Sequence, residues 1–421
     1  MRMRRAILPL VAPALLLLGV ACSGEETDAT ATAAATAAAG EATATATSMG
    51  EPLKIGLLLV GPRDDHGWSQ AHFEGVQYAA AALGAEVIVI DKVNPADSPN
   101  VTIPQIVDDM VAQGARLILA TSDDMKDGIL EAAAQHPDVP MIWASGDNAW
   151  AEGQDYRPDL ANLGNIMGEM EYGKMIAGCA AALQTESGQI SYLGPLINDE
   201  TRRLVNSTYL GARHCWTEVR GNDAADLQFN VTWIGFWFNI PGVTLDPTQV
   251  VNEFHANGTD VIISGIDTTE AIVRTGQVAA EGNTVWAVPY DFEDACSQAP
   301  QVCLGVPYFN WGPAYLEVAQ SVIDGTFQAT FQWIGPDWAD INNPDTSAIG
   351  FLKGDGLTAE NATALDAFIA GLANGSINLW SGPLNFQDGS AFLADGATAT
   401  PQQIWYTKML LEGIQGASAA Q

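Results

Sequence analysis

Basic residues are scarce in this chain: 17 Lys and Arg stand against 50 Asp and Glu over 421 residues, a formal charge of −33. A surface of that sign repels nucleic acid and anionic lipid, so neither is a partner class the sequence supports. The five cysteines show no CxxC spacing and the five histidines no HxxxH spacing, which gives no zinc site. There is no Gly-x-Ser-x-Gly elbow and no phosphate-cradling glycine loop. The sequence therefore offers no catalytic motif and calls for no cofactor or metal. Beyond the first 20 residues no run is long and apolar enough to span a bilayer.

What is present begins with an export signal over residues 1–22. Arg2, Arg4 and Arg5 form its positive region, Ile7 to Val20 its apolar one, and Ala21-Cys22 a small-residue processing site. A lone Cys after small residues, followed by Ser23-Gly24, resembles a lipoprotein signal whose Cys22 is lipidated. Gly19, where the usual box has Leu, departs from that pattern, and an ordinary cleaved signal is the alternative. Residues 23–51 are mostly Ala, Thr and acids and read as a tether that cannot bury a core. This order predicts an extracytoplasmic body anchored to the cell membrane by Cys22.

The body opens with LKIGLLLVGPRDDHGWSQAHFEGVQYAAAALGAEVIVID, Leu53 to Asp91. Two apolar runs, Leu53–Val60 and Ala85–Ile90, flank a helical pattern from Trp68 to Leu83. That is a β-α-β unit of a parallel sheet buried on both faces. Strand and helix patterns then alternate: strands at 116–121 and 139–144, helices at 125–135 and 169–183. The cycle restarts near residue 188, with strands at 188–193, 229–234, 261–264 and 284–288 separated by helical stretches. The expectation is α/β, two doubly wound parallel-sheet lobes joined by a hinge. Residues 52–165 with about 300–325 form lobe 1; residues 166–299 with about 326–421 form lobe 2.

In such sheets ligands bind where strands end and helices begin. In lobe 1 those corners hold Asp64, Asp65, Trp68, Thr121, Ser122, Asp123, Ser145 and Asp147. In lobe 2 they hold Asn198, Trp233, Trp237, Asp267, Asp291 and Glu293. A flat polar ligand needs an aromatic face and a carboxylate to accept its N–H or O–H groups. Asp65 with Trp68 supplies both, and His72-Phe73 adds a second aromatic option one turn on. The alternatives are structural: aspartates cap helices, and an indole at a corner can simply pack. WIGFWF, residues 233–238, is dense enough in rings that one or two should face a cleft. Asp267 and Asp291 each follow a strand and could accept neighbouring hydroxyls or cap the next helix. For the four later cysteines, local spacing favours Cys296–Cys303 and leaves Cys179–Cys215, with buried free thiols as the alternative.

KIGLLLVGPRDDHGWSQAHFEG resembles the opening of the basic membrane protein family, lipid-anchored solute receptors of ABC importers that bind purine nucleosides. The likeness continues through SYLGPLINDETRRLVNSTYLGAR, WIGFWF, YDFEDA, FNWGPAYLEV, WSGPLNF and MLLEGI. The Gly-Trp after the acidic pair and the Asn-Trp-Gly-Pro segment resemble a branch associated with purine bases such as adenine. The resemblance implies a type I periplasmic-binding-protein-like fold whose lobes close on ligand, with an ABC permease as partner. It implies that Asp65 holds the base, that Phe73 or Trp68 stacks on it, and that Asp291 holds ribose hydroxyls. It also implies a lysine near Asn310-Trp311, where this chain has none, which turns the expectation toward a free base. With the other corner residues, the expected ligand set is Asp65, Trp68, His72, Phe73, Ser122, Ser145, Trp237, Asp267, Asp291, Asn310 and Trp311. An extracytoplasmic nucleoside hydrolase and a ligand-sensing module for a signalling partner are the alternative functions.

Overall fold

The computed structural model describes residues 51–419, so the signal, Cys22 and almost all of the tether lie outside the described residues. The first sheet grows from β1 (Lys54–Leu58), whose leucines are sealed from water on both faces. Helix α1 (Trp68–Leu83) follows and ends on Gly84, which takes the left-handed φ of 64° that closes a helix. Next come β2 (Glu86–Ile90), α2 (Ile103–Ala112), β3 (Leu117–Ala120), α3 (Lys126–Gln135), β4 (Met141–Ala144) and β5 (Leu163–Gly168). A capping box between Thr102 and Gln105 starts α2.

The chain then crosses into the second lobe along α4 (Met170–Gln184). There follow β6 (Gln189–Gly194), α5 (Asp199–His214), β7 (Gln228–Trp233), α6 (Pro247–Ala256), β8 (Val261–Ser264), α7 (Glu270–Ala280) and β9 (Trp286–Val288). Helices α4 and α5 pack backbone to backbone. A Cβ at Gly178 would strike the Thr208 carbonyl and one at Gly211 the Met175 carbonyl, so only glycine fits at either place. The Cys179–Cys215 disulfide joins the same two segments, with both cysteines fully buried. Cys296 and Cys303 are also bonded, closing a short loop ahead of β10 (Gly305–Phe309).

Helix α8 (Gly312–Ile323) returns to pack on α1, and β11 (Phe331–Ile334) pairs in parallel with β5. β12 (Ile349–Lys353) pairs antiparallel with β10, and α9 (Ala359–Ala373) lies against α4. A short hairpin, β13 (Leu384–Asn385) and β14 (Ala391–Leu393), precedes α10 (Pro401–Trp405) and β15 (Ile414–Gln415). The first sheet has the order β11-β5-β4-β3-β1-β2 and the second β15-β7-β6-β8-β9. Within each, the chain starts at an inner strand, steps to one side, then reverses. Both lobes therefore have a topological switch point beside their first strand, and ligand sites form outside the carboxyl ends there.

The α/β architecture read from the sequence is present, with three differences of detail. Strand β5 carries two Gly and an Asn in LGNIMG, a composition poor in strand formers, and the sequence reading passed over it. Phe331–Ile334, assigned by sequence to lobe 2, forms the edge of the first sheet because its partner strand β5 lies there. Trp405 likewise sits in the core of the first lobe although the chain on either side of it belongs to the second.

Candidate functional site

The carboxyl ends of the strands face one another across a small cavity of about 20 Å³. The first lobe contributes Trp68 after β1, Ser122 and Asp123 after β3, and Ser145 after β4. The second contributes Tyr192 and Pro195 from the end of β6, the first turns of α5 (Glu200, Thr201, Leu204), Trp237 after β7, Gly265 and Asp267 after β8, and Tyr290 after β9. The lobes touch at its rim: Gly67 packs on the Asp267 carbonyl, and Asn198 Nδ2 donates to Asp123 Oδ2 at 3.4 Å. The cleft is closed.

Trp68 forms the first-lobe wall. Its Nε1 donates to the Thr121 carbonyl at 2.6 Å, and its ring is held edge-on by His72, Phe309 and Trp311 at centroid distances of 4.6, 5.3 and 5.5 Å. His72 is fully buried, meets the Tyr315 hydroxyl at 2.6 Å and stacks on Trp311 at 4.0 Å. These rings fix the indole rather than face the cavity. Of the sequence-derived ligand residues, Trp68, Ser122, Ser145, Trp237 and Asp267 meet at the cavity. Five others do something else. Asp65 caps α1, accepting from the N–H groups of Gly67, Ser69 and Gln70 at 2.9 to 3.0 Å. His72 and Trp311 support Trp68 from behind. Phe73 lies outside the cavity, half-buried under the Arg63 guanidinium. Asn310 secures a loop through the carbonyls of Pro344 and Ser347.

Asp291 lies just behind the wall made by Tyr290. It is fully buried, neither carboxylate oxygen has a hydrogen-bond partner among the described residues, and its backbone sits at φ 72°. For a residue with a side chain that conformation costs about 1–2 kcal/mol, and such strain gathers at functional sites. Ser145, with φ 68° and an unpartnered hydroxyl, is a second case on the opposite wall. No lysine stands near Asn310, yet Asp291 has a cation: Lys174 of α4, buried, its Nζ donating to the Ser264 carbonyl at 2.7 Å and lying 3.2 Å from the centre of the Tyr290 ring. A lysine in mid-helix carries no sequence signal of this kind.

Burial raises the acids at this point. It pushes Asp65 up to about 6 and Glu200 to about 7. Asp267 is driven well above the usual carboxylate range by burial, with the charges of Asp291, Asp65 and Glu200 adding to it; Asp291 is driven up by burial too, Lys174 pulling it back while Asp65 and Glu200 add to it. A polar chamber of about 150 Å³ adjoins the cavity through Asp123, Ser145 and Glu200, with Lys126, Asp147, Arg203 and Tyr406 on its outer side. Trp233, by contrast, turns away and donates to the Ala417 carbonyl. The lining combines aromatic rings from both lobes with the carboxyl groups of Asp123, Glu200 and Asp267. Among the described residues no helix is long and apolar enough to cross a membrane, and no acid, His or Cys group has metal-binding geometry.

Residues 53–220 match the family model described as ABC transporter substrate-binding protein PnrA-like, the Bmp family, so the resemblance drawn from the sequence holds over that span. A purine-binding protein of Brucella abortus is 26% identical over 367 residues, covering 86% of this chain and 93% of the relative. A putative ABC transporter glucose-binding protein of Haloferax volcanii is 26% identical over 290 residues, 68% of this chain and 66% of the relative. Among solved structures, an ABC transporter solute-binding protein of Aeropyrum pernix superposes with TM-score 0.61 at 13% identity, covering 86% of this chain and all of the other. One from Conexibacter woesei gives 0.55 at 17%, covering 77% and 98%. These likenesses establish the fold, that of type I periplasmic solute-binding proteins. The proteins that the family model describes are substrate-binding proteins of ABC transporters, and this chain matches it over residues 53–220.

Proposed function

We propose that the protein captures a purine base or purine nucleoside outside the cytoplasm and hands it to an ABC permease, held to the cell membrane through lipidated Cys22. The observation that carries this reading is the closed cavity walled by Trp68, Tyr192, Trp237 and Tyr290 with Asp267 and Glu200 among them. Rings on both lobes can sandwich a planar base, and the carboxylates accept from its N–H groups. The similarity to a purine-binding protein over nearly the full length of both chains supports the same ligand class. Asp291 and the adjoining polar chamber give room for hydroxyls if the ligand carries a sugar. Micromolar affinity needs about 8 kcal/mol net. Stacking at about 1 kcal/mol per pair beyond burial and charged hydrogen bonds at about 1.5–3 each reach that only in combination.

The test is calorimetric titration of the purified protein with adenine, adenosine, inosine and glucose, beside mass spectrometry of small molecules released on denaturation. Binding of at least one purine at micromolar affinity or tighter is expected, and the bound nucleoside is recovered intact after long incubation. Binding of glucose alone, or of none of the four, would remove the purine reading, and release of free base would turn it toward a hydrolase.

A further inference from the structure

Closure brings four carboxylates into one electrostatic group: Asp65 from the first lobe and Glu200, Asp267 and Asp291 from the second. Two basic groups oppose them: Arg203, which is paired with Glu171, and Lys174, whose amine burial holds well below its ordinary pKa. Lys174 donates to the Ser264 carbonyl at 2.7 Å and faces the rings of Tyr290 and Tyr192, 3.2 and 5.2 Å from their centres. Asp65 is satisfied by three backbone N–H groups, but both oxygens of Asp291 are unpartnered among the described residues, and Glu200 and Asp267 face the cavity. The walls between them carry the rings of Trp68, Tyr192, Trp237 and Tyr290. An aromatic face attracts a cation, most strongly where water is excluded. Two further buried atoms on that wall, Trp237 Nε1 and the Tyr290 hydroxyl, also lack a partner and ask the occupant for acceptor atoms.

We infer that the cleft selects its heterocycle by charge: it takes a flat ring system bearing a positive charge together with ring acceptors, in preference to the neutral form of the same ring. This rests on the proposed capture of a planar heterocycle and narrows its chemical class. A neutral occupant leaves the converging carboxylates uncompensated, so closure over it has to draw protons from solution. A cationic occupant supplies the missing charge itself.

The experiment compares matched pairs by calorimetry at pH 7: adenosine against 1-methyladenosine, and nicotinamide against 1-methylnicotinamide, so that a clash of one methyl group does not decide the outcome. The cation is expected to bind at least tenfold more tightly in one pair or both. Titrations in two buffers of different ionisation heat should show proton uptake with the neutral ligand and less with the cation. In Asp267→Asn, and separately in Glu200→Gln should the first fail to fold, the cation-to-neutral affinity ratio should fall toward one whatever the absolute affinity. If neutral adenosine binds and neither cation exceeds its partner, charge selection is overturned while purine capture stands. If no member of either pair binds, both fall.

Discussion

Gly67 lies flat against the backbone carbonyl of Asp267, one residue from each lobe, with no space between them for a Cβ. The Asp267 N–H in turn donates to the Trp237 carbonyl at 2.9 Å, so the contact is braced on the second-lobe side. It can form only with the cleft shut. Gly67→Ala should therefore fold normally and bind ligand at least tenfold more weakly. Calorimetry reads the affinity, and small-angle scattering should find that ligand no longer reduces the radius of gyration.

Trp68 joins ligand wall and lobe core in one side chain. Trp68→Ala should abolish measurable binding and cost about 3–5 kcal/mol of stability, as for other buried large-to-small changes. Trp68→Phe keeps a ring but loses the bond to the Thr121 carbonyl, and should bind about tenfold more weakly, by the roughly 1.4 kcal/mol that a factor of ten represents. Denaturant melts beside titrations separate the two effects.

Lys174 and Asp291 offset each other in the interior. Lys174→Met removes the basic group that pulls the Asp291 carboxyl down, along with its bond to the Ser264 carbonyl, and should lower the urea midpoint. Asp291→Asn in the same chain should recover part of that loss. A double-mutant cycle in urea with no coupling between the two positions would refute the pairing.

The disulfide between Cys179 and Cys215 closes 36 residues of chain. Its removal in a double Ser variant should cost about 3–4 kcal/mol on the loop-entropy estimate. Because both sulfurs are buried, reductant should leave the native protein unchanged and act only as urea unfolds it.

Glu200 is raised to about 7 by burial. A carboxyl raised on folding contributes stability that is fully present below its unfolded pKa and lost as pH rises through the folded one. Without ligand, Glu200→Gln should therefore gain in melting temperature relative to the parent between about pH 4.5 and 7, then hold level above. A constant difference from pH 4.5 to 8 would mean that Glu200 titrates normally.

The parts legible in the sequence were those with a local signal. Helix α1 was read with both ends correct, since an aromatic-acidic corner precedes it and Gly84 ends it. Trp237 and Asp267 were found because they follow apolar runs. Tyr192, Glu200 and Lys174 were missed for want of contrast. Tyr192 lies inside an apolar strand and reads as core; Glu200 in the first turn of α5 reads as ordinary helix-dipole chemistry; Lys174 is a mid-helix lysine. Asp65 drew attention as an acid at a strand end, but geometry alone could say that three backbone N–H groups claim it. Phe73 and Trp311 were picked out as rings, and sequence spacing carries no information about which ring faces inward and which stands behind.

Trp405 is seated among Trp150, Phe331 and Trp333 of the first lobe, and the Tyr406 hydroxyl donates to Asp147 Oδ2 at 2.6 Å. A few residues later the chain is back in the second sheet as β15. Together with the crossing at α4, this stitch leaves the lobes little freedom to twist or slide past one another. Any opening of the cleft should then swing about a single axis, and the tail of the chain should travel with it.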